Sequence, residues 1–417
     1  MRQYTSDTLV AVYPFTRQPE DEEVVIGHPE TDLFLVLPSD AVEILDYLAV
    51  GKTVGEIQLI YQEKYGELPD IEDLLDILEG KGFVKPLLQD EGNCSHAVIK
   101  VTFEPPTIKA AKVRYHFANF PQSLAQKIFS RPVLIGCAVL VSLALLAIAF
   151  DPALVPSWEA YFFPENTTLM ILVLAVLDCV ILFLHEMAHL VAARALGVSC
   201  RMAISNRMWM LVAETNMTGI WGVPRNQRYL PFLAGSLLDT VSGAILTLVF
   251  LAQKHGWIVM PPVVFQLGRA LLLNYLLALL WQCYFFMRTD YYYVIANFFR
   301  CKSLMKDTEV FVRNQLARVI RRVRKVEQSH IPARERRIIR LYAILWLVGR
   351  TAALGSLILI SLPLMWHYCI KLVAVLSTGF QANPYAFIDA MLLILLVCIP
   401  YTLGFGLWIR SFYTKQR

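Results

Sequence analysis

Charge is scarce in this chain and paired cysteines are missing. Asp, Glu, Lys and Arg make up 17% of its 417 residues, against about 25% in an average soluble domain. The composition excludes a disordered, collagenous or disulfide-rich secreted chain. The eight cysteines (Cys94, Cys137, Cys179, Cys200, Cys283, Cys301, Cys369, Cys398) include no C-x-x-C pair, and several lie in apolar runs. They read as buried small hydrophobes, not as a disulfide frame or a thiolate metal site. The opening MRQYTSDTLV has no basic flank before an apolar core, so no cleavable signal peptide is expected.

What is abundant is apolar surface: 56% hydrophobic residues and a mean hydropathy of +0.50. The surplus lies after residue 131, which divides a soluble head from a membrane body. The formal charge of +4 hides a second division. Residues 1–100 carry 20 acids against 7 Lys/Arg, whereas residues 288–340 carry 14 Lys/Arg, including Arg318, Arg321, Arg322, Arg324 and Lys325.

A helix needs about 20 mainly apolar residues to cross a bilayer. Six segments qualify: Pro132–Phe150, Thr168–Leu190, Tyr229–Gln253, Met260–Met287, Leu341–Ile370 and Tyr385–Ile409. The loop Asp151–Thr168 holds no Lys or Arg, whereas 195–228 holds Arg201, Arg207, Arg225 and Arg228. Basic loops stay inside, so both termini and the 195–228 and 288–340 loops are expected in the cytoplasm of a multi-pass cell-membrane protein. Asp178, Asp239, Arg269, Arg350 and Asp389 fall within spans. Such residues are costly there and face the bundle interior, where pairing among themselves would be structural glue.

The second span ends in His185-Glu186-Met187-Ala188-His189. Residues four apart share a helical face, so H-E-x-x-H aims two imidazoles at one spot that suits Zn²⁺. Glu186 follows directly, placed to take a proton from a water whose pKa zinc lowers to about 7. A catalytic site keeps one position open and needs one more protein ligand. Asp178, Asp239, Glu214 and Asp290 are the candidates. Asp178 stands seven residues before His185, about 10 Å along the axis, too far to reach the same ion. Asp239 lies two to three turns into the third span, and Glu214 lies in a loop. Asp290, at the inner end of the fourth span, matches the depth of the two histidines and is favoured.

With these residues in place, the chain resembles the site-2 protease family of intramembrane zinc metalloproteases, and within it the branch of peptide zinc metalloproteases. The likeness covers roughly residues 130–300. It rests on H-E-x-x-H, on Asp290-Tyr291-Tyr292-Tyr293, similar to that branch's D-G-Y-Y, and on Arg228 to Gly235, similar to its R-x(4–6)-A-G segment. The resemblance implies zinc held by His185, His189 and Asp290, with Glu186 as the catalytic base. Tyr291 stands where the family carries Gly. That departure is the feature favouring a rival reading, a non-proteolytic membrane module for peptide export or self-immunity with a vestigial metal site.

The head reads as α+β. Val24–Ile26 and Phe34–Leu37 flank a turn at His28–Asp32, and three helices follow, capped by Ser39 or Asp40, Thr53 and Asp70. Gly51, Gly80 and Gly82 act as stops, and Phe83–Val84 supplies a further strand. Helices with a β wing suggest a winged-helix-like fold. The acid excess opposes duplex binding, so no nucleic acid is expected. Leu37–Ala41 and Gly82–Val84 resemble PqqD-like domains, or RiPP recognition elements. The resemblance implies capture of a leader peptide by strand addition. A transporter or peptide-modifying enzyme would be a further partner.

Within 304–330, Val312, Leu316, Val319, Ile320 and Val323 fall at helical spacing among arginines. An amphipathic helix against anionic headgroups of the lipid bilayer is expected. The expected whole is mostly α: a six-span polytopic membrane helix bundle with a small N-terminal α+β winged-helix-like cytosolic domain. Its parts are a peptide-binding domain (1–100), a juxtamembrane linker (101–131), a four-span metalloprotease core (132–300), a basic amphipathic loop (301–340) and two last spans with a tail (341–417). The expected activity is hydrolysis of a peptide bond in a membrane-associated or leader-bearing peptide substrate, as in maturation of a ribosomally made modified peptide.

Overall fold

The computed structural model describes residues 4–20, 23–28, 33–87, 117, 120–161, 167–301, 303–320, 325–328, 331–381, 384–393 and 399–414. The expected turn at 29–32, most of the 101–131 linker, Arg321, Arg322, Val323 and Arg324 lie outside the described residues. So do 394–398 in the sixth expected span and the side chain of Asp389.

The chain forms two units. The first comprises residues up to Asn119 together with Leu196–Arg201 and Met217–Arg228. It opens with β1 (Val10–Val12), β2 (Thr16–Glu20), β3 (Glu23–His28) and β4 (Leu33–Pro38), then α1 (Ser39–Ala49), α2 (Val54–Tyr65), α3 (Ile71–Gly80) and β5 (Val84–Pro86). The strands β2, β3 and β4 form one antiparallel sheet in that order, and β1 pairs with β5. Alternation along β3 and the helical stripes of α1 and α3 gather Ile26, Leu45, Leu48, Ile57, Leu75, Leu78 and Phe83 into one core. Each such burial contributes about 1.5–3 kcal/mol.

The helix ends follow local chemistry. Thr53 and Glu56 make a reciprocal capping box, and Asp70 accepts from the Asp73 amide. Ser39 is itself the first helical residue of α1, after Pro38, and provides no side-chain cap. Gly66 closes α2 at φ +77°, a left-handed position that glycine adopts without steric cost. On the surface, the Tyr61 hydroxyl donates to Asp40 at 2.5 Å, and that bond pushes its pKa up to about 12. Lys64 donates to Glu43 and holds its carboxyl below the usual range.

The second unit is a helix bundle. After α4 (Gln122–Ile128) come α5 (Arg131–Phe150) and α6 (Thr167–Ala195), a hairpin of β6 (Arg201–Arg207) and β7 (Met210–Asn216), α7 (Tyr229–Lys254) and α8 (Pro262–Gln282). Then follow α9 (Asp290–Phe298), α10 (Leu304–Val319), α11 (Ala333–Ser356), a π-helical turn (Leu357–Ser361), α12 (Leu362–Ser377), α13 (Pro384–Leu393) and α14 (Ile399–Thr414). Five stretches, 122–150, 172–195, 225–254, 262–282 and 334–359, are long and apolar enough to cross a membrane. They make this a membrane protein. The sixth expected span falls on α13 and α14, neither of which is among these five, so five spans and not six stand among the described residues. The π-turn joins α11 to α12, so the fifth expected span begins before Leu341 and runs past Ile370.

Helix α7 is the centre of the bundle. Of its apolar window 44% is buried, against 11–22% for the other four spans, and it packs on α5, α6, α8 and α9. Ala234, Gly235, Ser236, Gly243 and Ala244 are buried along it, and small residues let neighbouring backbones approach closely.

The structure differs from the sequence expectations, or adds to them, at several points. The fourth span ends at Gln282 rather than Met287, and Asp290 opens the separate helix α9. The 195–228 loop contains a β-hairpin. The basic segment after residue 300 does form a helix, α10, and that helix packs against α11. Leu304 and Met305 join Tyr292, Cys301, Ile339 and Tyr342 in a core, while Leu316 and Ile320 remain exposed. Burial pushes the Cys301 thiol up to about 12, so it is inert. Among the described residues, three of the span charges find partners other than one another. Asp178 accepts from Asn274 at 2.5 Å, Arg350 pairs with Glu309 at 3.3 Å, and Asp239 meets His185.

Candidate metal centre

Helix α6 carries His185, Glu186 and His189 in its last three turns, and all three side chains are at least nine-tenths buried. The four-residue spacing sets the two rings one above the other, with Nε2 atoms 3.1 Å apart. Asp290 completes the group: its Oδ2 lies 3.2 Å from each Nε2. Of the three side chains Asp290 is the most open, 20% exposed against 9% and 4%. Asp290 therefore forms the most exposed edge of the group.

The other atom of each ring is already engaged. His185 Nδ1 donates to Asp239 Oδ2 at 2.7 Å, and His189 Nδ1 donates to the Pro231 carbonyl at 2.7 Å. A carbonyl only accepts, so His189 carries its proton on Nδ1. Neutral imidazole then presents a lone pair at Nε2. With both imidazoles neutral, two such lone pairs and a carboxylate oxygen face one point. Bare, that arrangement is repulsive. A cation relieves it, and an Nδ1–H held by a carboxylate or a carbonyl is the partner that metal-binding histidines use.

The spacing agrees. Tetrahedral ligands about 2.0–2.1 Å from an ion stand about 3.3–3.4 Å from one another, and the three edges here are 3.1, 3.2 and 3.2 Å. Gly235 of α7 supplies the room. A Cβ there would overlap the Nε2 atoms of both histidines. His185, His189 and Asp290 could therefore hold a metal ion.

Local structure explains how Asp290 arrives. Thr289 donates its hydroxyl to the Gln282 carbonyl at 2.8 Å, and the Asp290 amide donates to Gln282 Oε1 at 3.0 Å. These bonds reverse the chain after α8 and start α9 on Asp290, where the helix N-terminus favours a carboxylate. The Ser236 hydroxyl donates to Asp290 Oδ2 at 3.2 Å. Tyr342 donates to the Phe285 carbonyl at 2.6 Å, which ties the same turn to α11. Tyr291 lies in the first turn of α9 and has no positive φ. The backbone there does not require a glycine.

Glu186 is held by β7. The Thr215 hydroxyl lies 2.7 Å from Glu186 Oε2 and 3.0 Å from its backbone carbonyl. The Oε2 oxygen of the carboxylate is fixed by this bond. The remaining sequence candidates separate clearly. Asp239 touches His185 from the Nδ1 side and is an orienting group, not a ligand. Asp178 bonds Asn274 instead. Glu214 lies on β7 next to Thr215 and is not part of the three-residue group.

Sequence reading missed Thr215, Pro231, Ser236 and Gln282. Three act through a common hydroxyl or amide, and Pro231 acts through its backbone, so residue type carried no signal. No family model matches this chain, and no curated protein or solved structure matches it either.

Proposed function

We propose that this protein is an intramembrane zinc metallopeptidase whose zinc is held by His185, His189 and Asp290. The observation that carries the reading is the convergence of two Nε2 lone pairs and one carboxylate oxygen, each Nδ1 proton being spent elsewhere. Nitrogen and oxygen donors in a compact three-ligand set with an open side suit zinc in a catalytic role. Bound there, zinc supplies Lewis-acid polarisation of a scissile carbonyl.

The chain's own groups do the rest. Glu186 takes a proton from the attacking water while Thr215 holds its Oε2, then passes that proton to the leaving amine. Asp239 and the Pro231 carbonyl keep both imidazoles in the required tautomer. Ser236 and the first turn of α9 hold Asp290 ionised and in place. Water enters from the exposed side of Asp290. The substrate is a peptide that is membrane-associated or carries a leader captured by the head, and the site lies towards the cytoplasmic side. The non-proteolytic alternative rested on Tyr291, and that residue sits in ordinary helical backbone here.

Glu186→Gln in the purified full chain should retain the wild-type zinc content while peptide cleavage falls about 10²–10⁴-fold, the range of a lost general base. Zinc analysis and mass spectrometry of a peptide-library digest, with and without chelator, read both. Undiminished cleavage by Glu186→Gln would falsify the mechanism.

A further inference from the structure

Asp290 is the one ligand that α6 does not supply, and the segment that delivers it has little regular structure. Residues 283–289 join α8 to α9 outside any helix or strand. Short local bonds close the turn: the Phe285 amide donates to the Cys283 carbonyl and the Met287 amide to the Tyr284 carbonyl, both at 2.8 Å. A segment without a hydrogen-bonded ladder takes its stiffness from what packs on it.

What packs on it is α11, within the same compact unit. The Tyr342 hydroxyl donates to the Phe285 carbonyl at 2.6 Å. Gly349 stands seven residues further along, close to two helical turns, and so shares the face of Tyr342. The Phe286 ring occupies the place that a Cβ at Gly349 would take. Only a residue without a side chain permits so close an approach to the helix backbone.

The grip continues past the ligand. Tyr292, two residues after Asp290 and buried, sets its ring 6.1 Å from that of Tyr342. Its hydroxyl accepts from the Met305 amide of α10 at 3.0 Å, and the two tyrosines share a core with Ile339 of α11 and Leu304 of α10. Beside Gly349, Arg350 pairs with Glu309 at 3.3 Å, so α10 and α11 stand together behind the turn. On the opposite side α7 supports α9, with Phe232 stacked on Tyr293 and Ser236 bonded to Asp290. Asp290 is thus held between α7 and α11, and α11 grips the chain both before and after it.

Metal ligands must be kept within about 0.5 Å of their working geometry. Helix α11 supplies none of the three ligand side chains, yet its bond to Phe285 and its notch at Gly349 set where the turn stands. We infer that Tyr342 and Gly349 are positioning residues for the metal centre, acting through Phe285 and Phe286 on the place of Asp290. This rests on the metal-binding part of the reading above and extends it to a span that carries no ligand. Loss of a partner that orients a metal ligand weakens binding about 10–100-fold, and contacts one step further out act in the same direction at the low end.

The test uses the full-length protein in nanodiscs, stripped of metal and titrated with Co²⁺. Its visible absorption reports ligand geometry independently of any cleavage. Tyr342→Phe, which removes a hydroxyl and keeps the buried ring, should bind Co²⁺ about tenfold more weakly with a shifted band. Gly349→Ala, which presses on Phe286 without altering polarity, should do the same, and it carries the test should Tyr342→Phe not fold. Thr351→Val removes a hydroxyl of the same helix that bonds the Leu347 and Val348 carbonyls, and it should leave both readouts unchanged. In an Asp290→Asn background Tyr342→Phe or Gly349→Ala should weaken binding no further, because effects carried by one residue are not additive. A wild-type band and affinity in either folded variant overturns the inference while the metal reading stands. Equal loss in Thr351→Val, or a full further loss on top of Asp290→Asn, also overturns it, because the effect would then not pass through Asp290. A wild-type protein that takes no Co²⁺ at all defeats the metal reading itself, and this inference with it.

Discussion

Two polar clusters stand among the apolar helices of this protein. In one, Asp178 of α6 accepts from Asn274 of α8, and Asn274 in turn accepts from the Tyr161 hydroxyl. Each of these two acceptor oxygens has a donor, in a short relay from Tyr161 through Asn274 to Asp178. In the other, about two turns further along α6, the donors run out. His185 and His189 spend their Nδ1 protons on Asp239 and Pro231, and two Nε2 atoms are left facing an Asp290 oxygen whose donor is Ser236. Both clusters contain an aspartate in a span, and both look equally costly by sequence. A balanced set of donors and acceptors is structural glue between helices, whereas a surplus of lone pairs at ligand spacing calls for a cation.

Substitutions test that contrast, and the largest effect belongs to the ligands. His185→Ala should abolish stoichiometric zinc retention after dialysis, and Asp290→Asn should weaken it about a hundredfold or more, since the conservative loss of an orienting partner alone costs 10–100-fold. Unchanged zinc in Asp290→Asn would move the third ligand elsewhere and end the comparison as drawn. Asp239→Asn removes an orienting carboxylate but no ligand, and a titration should show zinc bound about 10–100-fold more weakly. Gly235→Ala pushes a methyl group onto both rings. Overpacking of this kind costs about 1–3 kcal/mol, visible as a lower thermal midpoint together with weakened metal retention. Asp178→Asn is the smallest change. It keeps a bond to Asn274, and an interhelical hydrogen bond in a bilayer averages about 0.6 kcal/mol. Zinc content should stay at the wild-type level; a loss there would merge the two clusters into one functional network.

Much of the architecture was legible along the chain. The helix starts at Thr53 and Asp70 and the paired strands around Val24 and Phe34 are short-range signals, and they appear as read. The apolar runs of α5, α6 and α7 lie close to where a hydrophobic count puts them. Strands β1 and β2 escaped notice because they are three and five residues long and carry little alternation. The hairpin β6–β7 escaped because its polar residues resemble those of a loop.

For the candidate site, the chain alone determined the pair His185 and His189 with Glu186 between them. Helical periodicity is a local property, and four residues of spacing bring two rings together whatever surrounds the helix. Tertiary structure decided the division of labour among the aspartates. Asp239 and Asp290 stand 54 and 105 residues from His185, and no local rule says which nitrogen each will meet. It also decided that Thr215, Pro231 and Gln282 matter, since a hydroxyl, a carbonyl and an amide acquire meaning only from what lies within 3 Å of them. The reason is physical. Secondary structure is written in short-range sterics and hydrophobic period, whereas a metal centre depends on which hydrogen each atom keeps after the helices have packed.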